Sequence, residues 1–145
     1  MRLSNNPMNI TIIDGHGGML GAQLVKEISA KYNSAVITAI GTNSSATTAM
    51  LKAGAKNAAT GENPVIVACR RADVIIGPVG IVIADSLTGE ITPNMAIAIA
   101  QADATRILVP MNKCDNLIAG IKDISTAALI EDVIAKLDVL TAGRA

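Results

Sequence analysis

The sequence predicts an α/β fold of three layers, a Rossmann-like domain whose mostly parallel sheet has about five strands. Short apolar runs alternate along the chain with segments of helical periodicity, which is the pattern of βαβ units. Half of the 145 residues are apolar and nearly all of these are aliphatic, which suits parallel strands covered by helices. We therefore expect residues 9–142 to form a single domain, preceded by a flexible tail over residues 1–8.

The first half of the domain is predicted to contain two strand–helix units. The strands cover residues 9–13 and 35–40, and the helices cover residues 19–32 and 44–52. Apolar residues recur on one face of the first helix and charged residues on the other. Ser44 is the expected cap of the second helix, and Gly54 is expected to end it because glycine adopts the left-handed conformation found just past helix ends.

The second half is predicted from its prolines and its short apolar runs. Asn63 before Pro64 resembles an N-cap followed by proline at the first helical position, which favours a helix over 64–71, although a strand there is an alternative. Thr92 before Pro93 repeats this order and predicts a helix to about residue 102. The remaining predicted elements are strands over 73–76, 106–110 and 117–121 and a last helix over 126–140.

The charge and cysteine content exclude several classes of partner. Lysine plus arginine and aspartate plus glutamate both number 12, so no net charge attracts nucleic acid or an anionic membrane.

Cys69 and Cys114 have no CxxC spacing, which is typical of a reducing compartment and predicts a cytoplasmic protein. No apolar run is long enough to cross a bilayer. Only 17% of the residues are charged, which predicts a homo-oligomer that buries apolar surface between copies.

A glycine-rich turn between the first strand and its helix is the main candidate site. Gly15, Gly17, Gly18 and Gly21 leave the backbone amides and the positive end of the helix dipole open to an anion. Gly15 and Gly17 fit the first two positions of the dinucleotide fingerprint, but Gly21 comes one residue late for the third. A tight turn with close helix packing is the alternative explanation of these glycines.

Two further loops are expected at the same edge of the sheet, where ligands of doubly wound folds bind. Thr42, Asn43 and Ser44 stand where NAD-binding domains carry an acidic residue for the ribose, so the sequence lacks that mark. These polar residues could instead receive the additional phosphate of NADP. Gly77 and Gly80 end the third predicted strand and complete the expected cofactor-binding set.

Few residues are candidates for chemistry. The weak catalytic candidates are Asp14, His16, Lys113 and Cys114, and His16 is also a candidate for phosphate contact. Asp14 has an alternative structural role, in which it accepts backbone amides of the turn. Cys69 has the context of a core residue. Glu62, Asp85 and Glu90 are interpreted as exposed loop carboxylates, and no metal site is expected because one histidine with scattered acids does not give the spacing that metals need.

Several segments together resemble a bacterial family that is catalogued only as a domain of unknown function. They are DGHGGMLG, GTNSSATTAMLKAGA, ATGEN, GPVG, DSLTGEITPNMA and ILVPMNKC. The resemblance extends from about residue 9 to residue 120 and implies a compact Rossmann-like protein. It implies no activity and no catalytic residue.

Three functions are consistent with these observations. The first is a nucleotide or dinucleotide phosphate-binding protein, with NADP or another nucleotide as its cofactor and oxidoreductase activity as one option. The second is a non-catalytic oligomeric sensor of a small phosphorylated metabolite. The third is a small sugar-phosphate lyase or isomerase, which would need Asp14, His16 or Lys113 to transfer a proton. In each case the expected ligand is a small anion.

Overall fold

The computed structural model describes residues 6–111 and 115–143, which alternate between strands and helices from the first element to the fifth strand. The strands are β1 (Asn9–Asp14), β2 (Val36–Gly41), β3 (Asn57–Thr60), β4 (Val74–Pro78) and β5 (Thr105–Val109). The helices are α1 (Met19–Lys31), α2 (Ser44–Lys52), α3 (Glu62–Cys69), α4 (Pro93–Gln101) and α5 (Thr126–Ala142), with a short 3-10 helix at Val79–Val82.

The five strands form one parallel sheet in the order β3-β2-β1-β4-β5. The chain moves outward from β1 through β2 to β3, then returns to the other side of β1 and continues through β4 to β5. Strand order therefore reverses between β1 and β4, and ligands of doubly wound folds bind at the carboxyl end of such a reversal. The predicted Rossmann-like α/β fold is confirmed.

Helices cover both faces of the sheet. On one face, Leu24 and Ile28 of α1 and Leu137 of α5 pack against Ile10 and Ile12 of β1. On the other face, α3 and α4 pack together with the 3-10 helix over a second cluster. The residues of that cluster include Ile13, Ile40, Val65, Ile75, Ile81, Leu87, Ile91, Met95 and Ile99. These two aliphatic cores make the domain three layers thick.

The fifth strand is not where the sequence predicted it. The prediction for residues 117–121 is wrong: this segment is irregular, and Leu117 is 97% exposed. The missing strand is β3, whose four residues, Asn57–Thr60, have no alternating pattern. Main-chain pairing with β2 defines β3, which explains why local periodicity did not reveal it.

Two helix starts also differ from the prediction. The helical interpretation of residues 64–71 is confirmed and the strand alternative is wrong, but α3 begins at Glu62 with Gly61 as its N-cap. Asn43, not Ser44, caps α2, because its side-chain oxygen accepts the Ala46 amide at 2.9 Å. The Thr92 cap of α4 is confirmed by its bond from the Met95 amide at 3.2 Å.

In the described parts of the chain, none of the helices has the length and the apolar character that crossing a bilayer requires.

Candidate functional site

The glycine-rich turn connects β1 to α1 at the carboxyl edge, next to the reversal of strand order. Gly18 is the N-cap of α1 and has the left-handed φ of 72°, while His16 has a φ of 49°. Because a glycine cap has no side chain, it accepts none of the amides at the start of the helix. The N-cap residue therefore supplies no side-chain acceptor, and in the first turn of α1 it is the Gly21 amide that donates to a side chain, the carboxylate of Asp14, at 2.7 Å.

Three glycines of the turn are required by close packing. A Cβ on Gly15 would lie 2.6 Å from the Thr42 hydroxyl oxygen, and one on Gly18 would lie 2.7 Å from the Cα of Ala46. A Cβ on Gly21 would lie 2.8 Å from the Cβ of Asp14. The tight-turn explanation therefore accounts for Gly15, Gly18 and Gly21 without a ligand.

Gly17 has no such packing requirement. A Cβ at this position would meet no atom within 4 Å, and the residue is exposed together with Met19, which is 71% exposed. Within residues 6–111 and 115–143, no atom accepts a hydrogen bond from the amides of Gly17, Met19 or Leu20. The outer part of the turn therefore offers the amides of Gly17 and Met19 to a molecule arriving from solvent, whereas Leu20 is only 4% exposed.

Asp14 holds the inner part of the turn. Its two carboxylate oxygens accept the amides of Gly15 at 2.8 Å and Gly21 at 2.7 Å, and the residue is only 3% exposed. Burial raises the pKa of Asp14, and the two amide bonds oppose this increase only in part. The geometry gives Asp14 the structural role that the sequence analysis named as an alternative to catalysis.

A carboxylate of the protein itself accepts hydrogen bonds from three of the donors that the sequence assigned to a ligand. Glu90 Oε1 accepts the His16 amide at 3.0 Å, the Thr42 hydroxyl at 2.6 Å and the Asn43 side-chain amide at 2.7 Å. Burial raises the pKa of Glu90, but these three hydrogen bonds outweigh it and hold the pKa below its ordinary value. The interpretation of Glu90 as an exposed loop carboxylate is wrong, since its side chain is only 24% exposed and its Oε1 accepts three hydrogen bonds.

The loop over residues 83–92 brings Glu90 to this position. Leu87 is fully buried, although its φ of 55° is unusual for a side chain of its size. The Ser86 hydroxyl donates to the Gly80 carbonyl, and the Asp85 amide donates to the Ile91 carbonyl at 2.7 Å. The loop is therefore anchored on the protein core, and Glu90 is held at the ends of β1 and β2.

Gly77 and Gly80, which the sequence placed among the cofactor-binding residues, are buried. A Cβ on Gly77 would lie 2.4 Å from the Ile13 carbonyl oxygen, so this glycine allows β4 to approach β1. Gly80 supplies the carbonyl that accepts Ser86. The close approach of β4 and β1 accounts for Gly77, and Gly80 contributes its main-chain carbonyl to the anchoring of the loop.

His16 lies at the rim of the site. Its Nε2 is 3.5 Å from Glu90 Oε2 and 3.4 Å from the Thr88 hydroxyl, and its side chain is 45% exposed. Ser44 is exposed next to the Asn43 cap. Lys113 and Cys114 lie outside the described residues.

The remaining titratable candidates do not form a reactive cluster. Burial raises the pKa of the Cys69 thiol to about 11, which agrees with its interpretation as a core residue. In the part of the chain that the structure describes, no three His, Cys, Asp or Glu side chains lie close enough to bind a metal ion.

Glu90 is the site residue that sequence reasoning missed. It lies 74 residues from His16 and 48 residues from Thr42, with which it shares hydrogen bonds. No motif around Glu90 indicates these partners, because its position depends on how the loop packs. A mostly buried glutamate beside a threonine and an asparagine at a sheet edge is visible only in three dimensions.

Comparison with known proteins identifies the family but not the activity. Residues 9–141 match the model of a family described as "Domain of unknown function (DUF3842)", and the chain belongs to that family. No match was found among the curated proteins or among the solved structures.

Proposed function

We propose that this member of the DUF3842 family binds a nucleotide at the carboxyl edge of its sheet, with the phosphate on the turn and the ribose on Glu90. One observation carries this proposal. The amides of Gly17 and Met19, which have no acceptor among the described residues, lie at exposed positions beside a carboxylate held at the end of β2. The two features supply the two halves of nucleotide recognition in Rossmann-like domains.

The phosphate part of the proposal rests on the start of α1. Backbone amides at a helix N-terminus carry partial positive charge and bind phosphate oxygens directly. The Gly17 position leaves room for a phosphate because no protein atom lies within 4 Å of where its Cβ would be. His16 can add a hydrogen bond from the rim, where its ring is half exposed.

The ribose part of the proposal rests on the second oxygen of Glu90. Oε1 accepts hydrogen bonds from three donors, whereas the ring atom near Oε2 is His16 Nε2 at 3.5 Å. A carboxylate oxygen in this position accepts a ribose hydroxyl well. Glu90 then performs the role of the acidic residue that the sequence lacks after β2.

The same arrangement predicts which nucleotides are preferred. Thr42 and Asn43 already donate to Glu90, so they are not free to bind the additional phosphate of NADP. The charge of Glu90 would also repel that phosphate. We therefore expect NAD, or another nucleotide with free ribose hydroxyls, to bind more tightly than NADP.

Ligand-induced thermal shifts test the proposal. Wild-type protein is titrated with AMP, ADP, ATP, NAD and NADP, and the melting temperature is expected to rise with the preferred nucleotide because only the folded chain binds it. Native mass spectrometry of freshly purified protein detects bound nucleotide and also tests the expected homo-oligomer.

Gly17→Val is the decisive variant. The new Cβ meets no atom beyond the neighbouring residues within 4 Å, and the valine methyl groups are expected to block the exposed amides of Gly17 and Met19, so the variant should abolish the thermal shift and leave the melting temperature of the free protein nearly unchanged. Gly143→Val is the matched control, because its new Cβ would meet only an ordinary contact at 3.7 Å at the far end of the chain. Equal shifts for both variants would contradict the proposal.

Glu90→Gln tests the ribose contact separately. Removing the charge should weaken NAD binding and reduce the preference for NAD over NADP, whereas Glu131→Gln on the exposed side of α5 should change neither. If Glu90→Gln binds NAD as tightly as wild type, the assignment of Glu90 to the ribose is wrong, whereas the phosphate site on the turn is not contradicted.

A non-catalytic sensor of a small phosphorylated metabolite is the second candidate function. The hydrogen bonds of the Asp14 carboxylate favour it. Both oxygens of this carboxylate are engaged by main-chain amides, so it has no free oxygen for proton transfer. Of the proposed proton donors, His16 is the described residue whose side chain is exposed. The lyase or isomerase alternative therefore requires that His16→Ala abolish turnover of a sugar phosphate.

A further inference from the structure

The face of the sheet that α3 covers has a groove that the side chains of the protein do not fill. A cavity of about 550 Å³ lies between α3 and the neighbouring strands β1, β2 and β3. Its floor includes Thr11, Thr38 and Ile40, and its wall includes Val67 and Ala68. We propose that this groove is a second binding site, distinct from the carboxyl edge, for a small organic anion with a short apolar body.

Thr11 is the first observation that points to a ligand. It is 3% exposed at the centre of the sheet, and no described residue forms a hydrogen bond with its hydroxyl. A buried hydroxyl without a partner destabilises a protein, and valine would fill the same volume without that cost. Thr38 is the register neighbour of Thr11 on β2 and lines the same groove, so the two threonines lie side by side on this face of the sheet.

Arg71 is the second observation. It is an exposed residue just beyond the end of α3, and among the described residues that line the groove it is the only charged one. No described carboxylate lies within ion-pair distance of its guanidinium group. A cationic group without a counter-charge, beside unpartnered hydroxyls, favours a carboxylate or phosphate oxygen as the missing partner.

The aliphatic part of the lining determines the body of the ligand, and Asn9, Asn57 and Asn63 add polar groups beside it. Ile40, Val67 and Ala68 present aliphatic surface, and Val67 is 40% exposed although it faces this cavity. Cavities of this volume hold small molecules that bury apolar atoms and fix their orientation with a few polar groups. The geometry therefore fits a short alkyl or similar chain that ends in an anionic group.

Titration of the full chain followed by amide NMR tests the proposal. The probes are hexanoate, hexyl phosphate and hexanol, which share one apolar body and differ in the charged group. We expect both anions, but not hexanol, to shift the amide resonances of Thr11, Thr38, Val67 and Arg71 and to leave those of Gly17 and Met19 unchanged. The stronger of the two anions identifies the class of ligand.

Two variants make the test specific. Arg71→Gln should weaken binding of the anions about tenfold or more, whereas Arg70→Gln, at a neighbouring exposed position outside the groove, should not. Thr11→Val should weaken binding and also raise the melting temperature of the free protein by about 2–5 °C, because it removes an unpartnered hydroxyl. A purely structural threonine would give the opposite change in stability.

The outcomes that overturn the proposal are separate from those for the nucleotide site. The groove proposal fails if none of the probes shifts the groove resonances, if hexanol binds as well as the anions, or if Thr11→Val destabilises the free protein. It also fails if native mass spectrometry and NMR show the groove covered by a second copy of the chain. Gly17→Val should leave anion binding in the groove unchanged, so each site is tested independently.

Discussion

The two ends of α1 are completed in different ways. At its C-terminal end, Lys31 Nζ donates to Asp138 Oδ2 of α5 at 2.7 Å, and the Tyr32 hydroxyl donates to the other oxygen of the same carboxylate. At its N-terminal end, the Gly18 cap offers no side chain, and the amides of Met19 and Leu20 have no acceptor in the described part of the chain. One end is tied to the protein by side chains and the other is open.

This difference shows that the two ends of one helix can have different hydrogen-bonding arrangements within the same domain. Unpaired amides are tolerated at the N-terminus because solvent reaches them there, as the exposure of Gly17 and Met19 shows. Asp14 and Glu90 hold the turn around those amides without using them. Asp14 and Glu90 therefore fix the conformation of the open end, and its unpaired amides remain able to bind an anion.

The largest expected effect distinguishes two glycines one residue apart. Gly18→Ala would place a Cβ 2.7 Å from the backbone of Ala46 at a φ of 72°, and should lower the free energy of unfolding by about 2–4 kcal/mol. Gly17→Ala meets no atom and should change it by less than about 0.5 kcal/mol. Urea denaturation measures both, and similar values for the two variants would contradict the division of the turn into a packed and an open part.

The next effect concerns the carboxylate that supports the open end. Asp14→Asn leaves one of the amides of Gly15 and Gly21 facing an NH₂ group, and should lower the free energy of unfolding by about 1–3 kcal/mol. Urea denaturation at neutral pH checks this value. Asp132→Asn, on the exposed surface of α5, is the control and should have little effect. A stability unchanged in Asp14→Asn would mean that the two amide bonds contribute nothing.

A smaller effect appears in the pH dependence of stability, where the two carboxylates act in opposite directions. The pKa of Asp14 is raised, so its contribution to stability is full below the ordinary value of about 4 and is lost as the pH rises through the folded-state pKa. The pKa of Glu90 is lowered, so its contribution is full above that ordinary range and is lost as the pH falls through the folded-state pKa.

Urea denaturation across a series of pH values separates the two contributions. Glu90→Gln should remove the loss on the acid side, by less than about 1 kcal/mol because the side chain is partly solvated. Asp14→Asn should remove the loss that occurs as the pH rises. A Glu90→Gln variant whose stability falls in acid as steeply as that of wild type would contradict the three hydrogen bonds assigned to Glu90.

The smallest energetic effect is expected at the tied end, but it is the easiest to observe. Burial and the hydrogen bond to Asp138 raise the pKa of Tyr32 to about 12, and Tyr32 is the only aromatic residue of the chain. Asp138→Asn should lower this pKa toward the ordinary value of about 10. Ultraviolet titration of the single tyrosine measures it directly. Asp132→Asn should leave the midpoint unchanged, and an equal decrease in both variants would indicate a general loss of negative charge.

Local patterns predicted the parts of the fold that depend on local interactions. The strand at β1, the helix at α1 and the capped start of α4 follow from apolar periodicity and from cap-then-proline order, because helix and strand formation use contacts between near neighbours. The same reasoning placed a strand at 117–121, where five residues of suitable composition find no neighbouring strand to pair with. A strand requires a partner, and sequence composition does not supply one.

The candidate site also has features that local sequence predicted and features that it did not. The glycine turn and its place between β1 and α1 were predicted because a strand, a glycine cluster and a helix are consecutive in the chain. The roles of the individual glycines were not, because Gly18 and Gly21 are required by atoms of Ala46 and Asp14 that approach only in the folded state. The groove above Thr11 was also beyond prediction, because residues of three strands and of α3 line it, and these meet only in the folded state.

The sequence by itself determined an α/β domain with a glycine turn at the start of its first helix, since periodicity and turn chemistry act over a few residues. Only the tertiary structure decided that β3 completes the sheet and that Glu90 lies against Thr42 and the His16 amide. The physical reason is that these contacts join residues far apart in the chain. Their formation depends on the packing of whole elements, which no short stretch of sequence specifies.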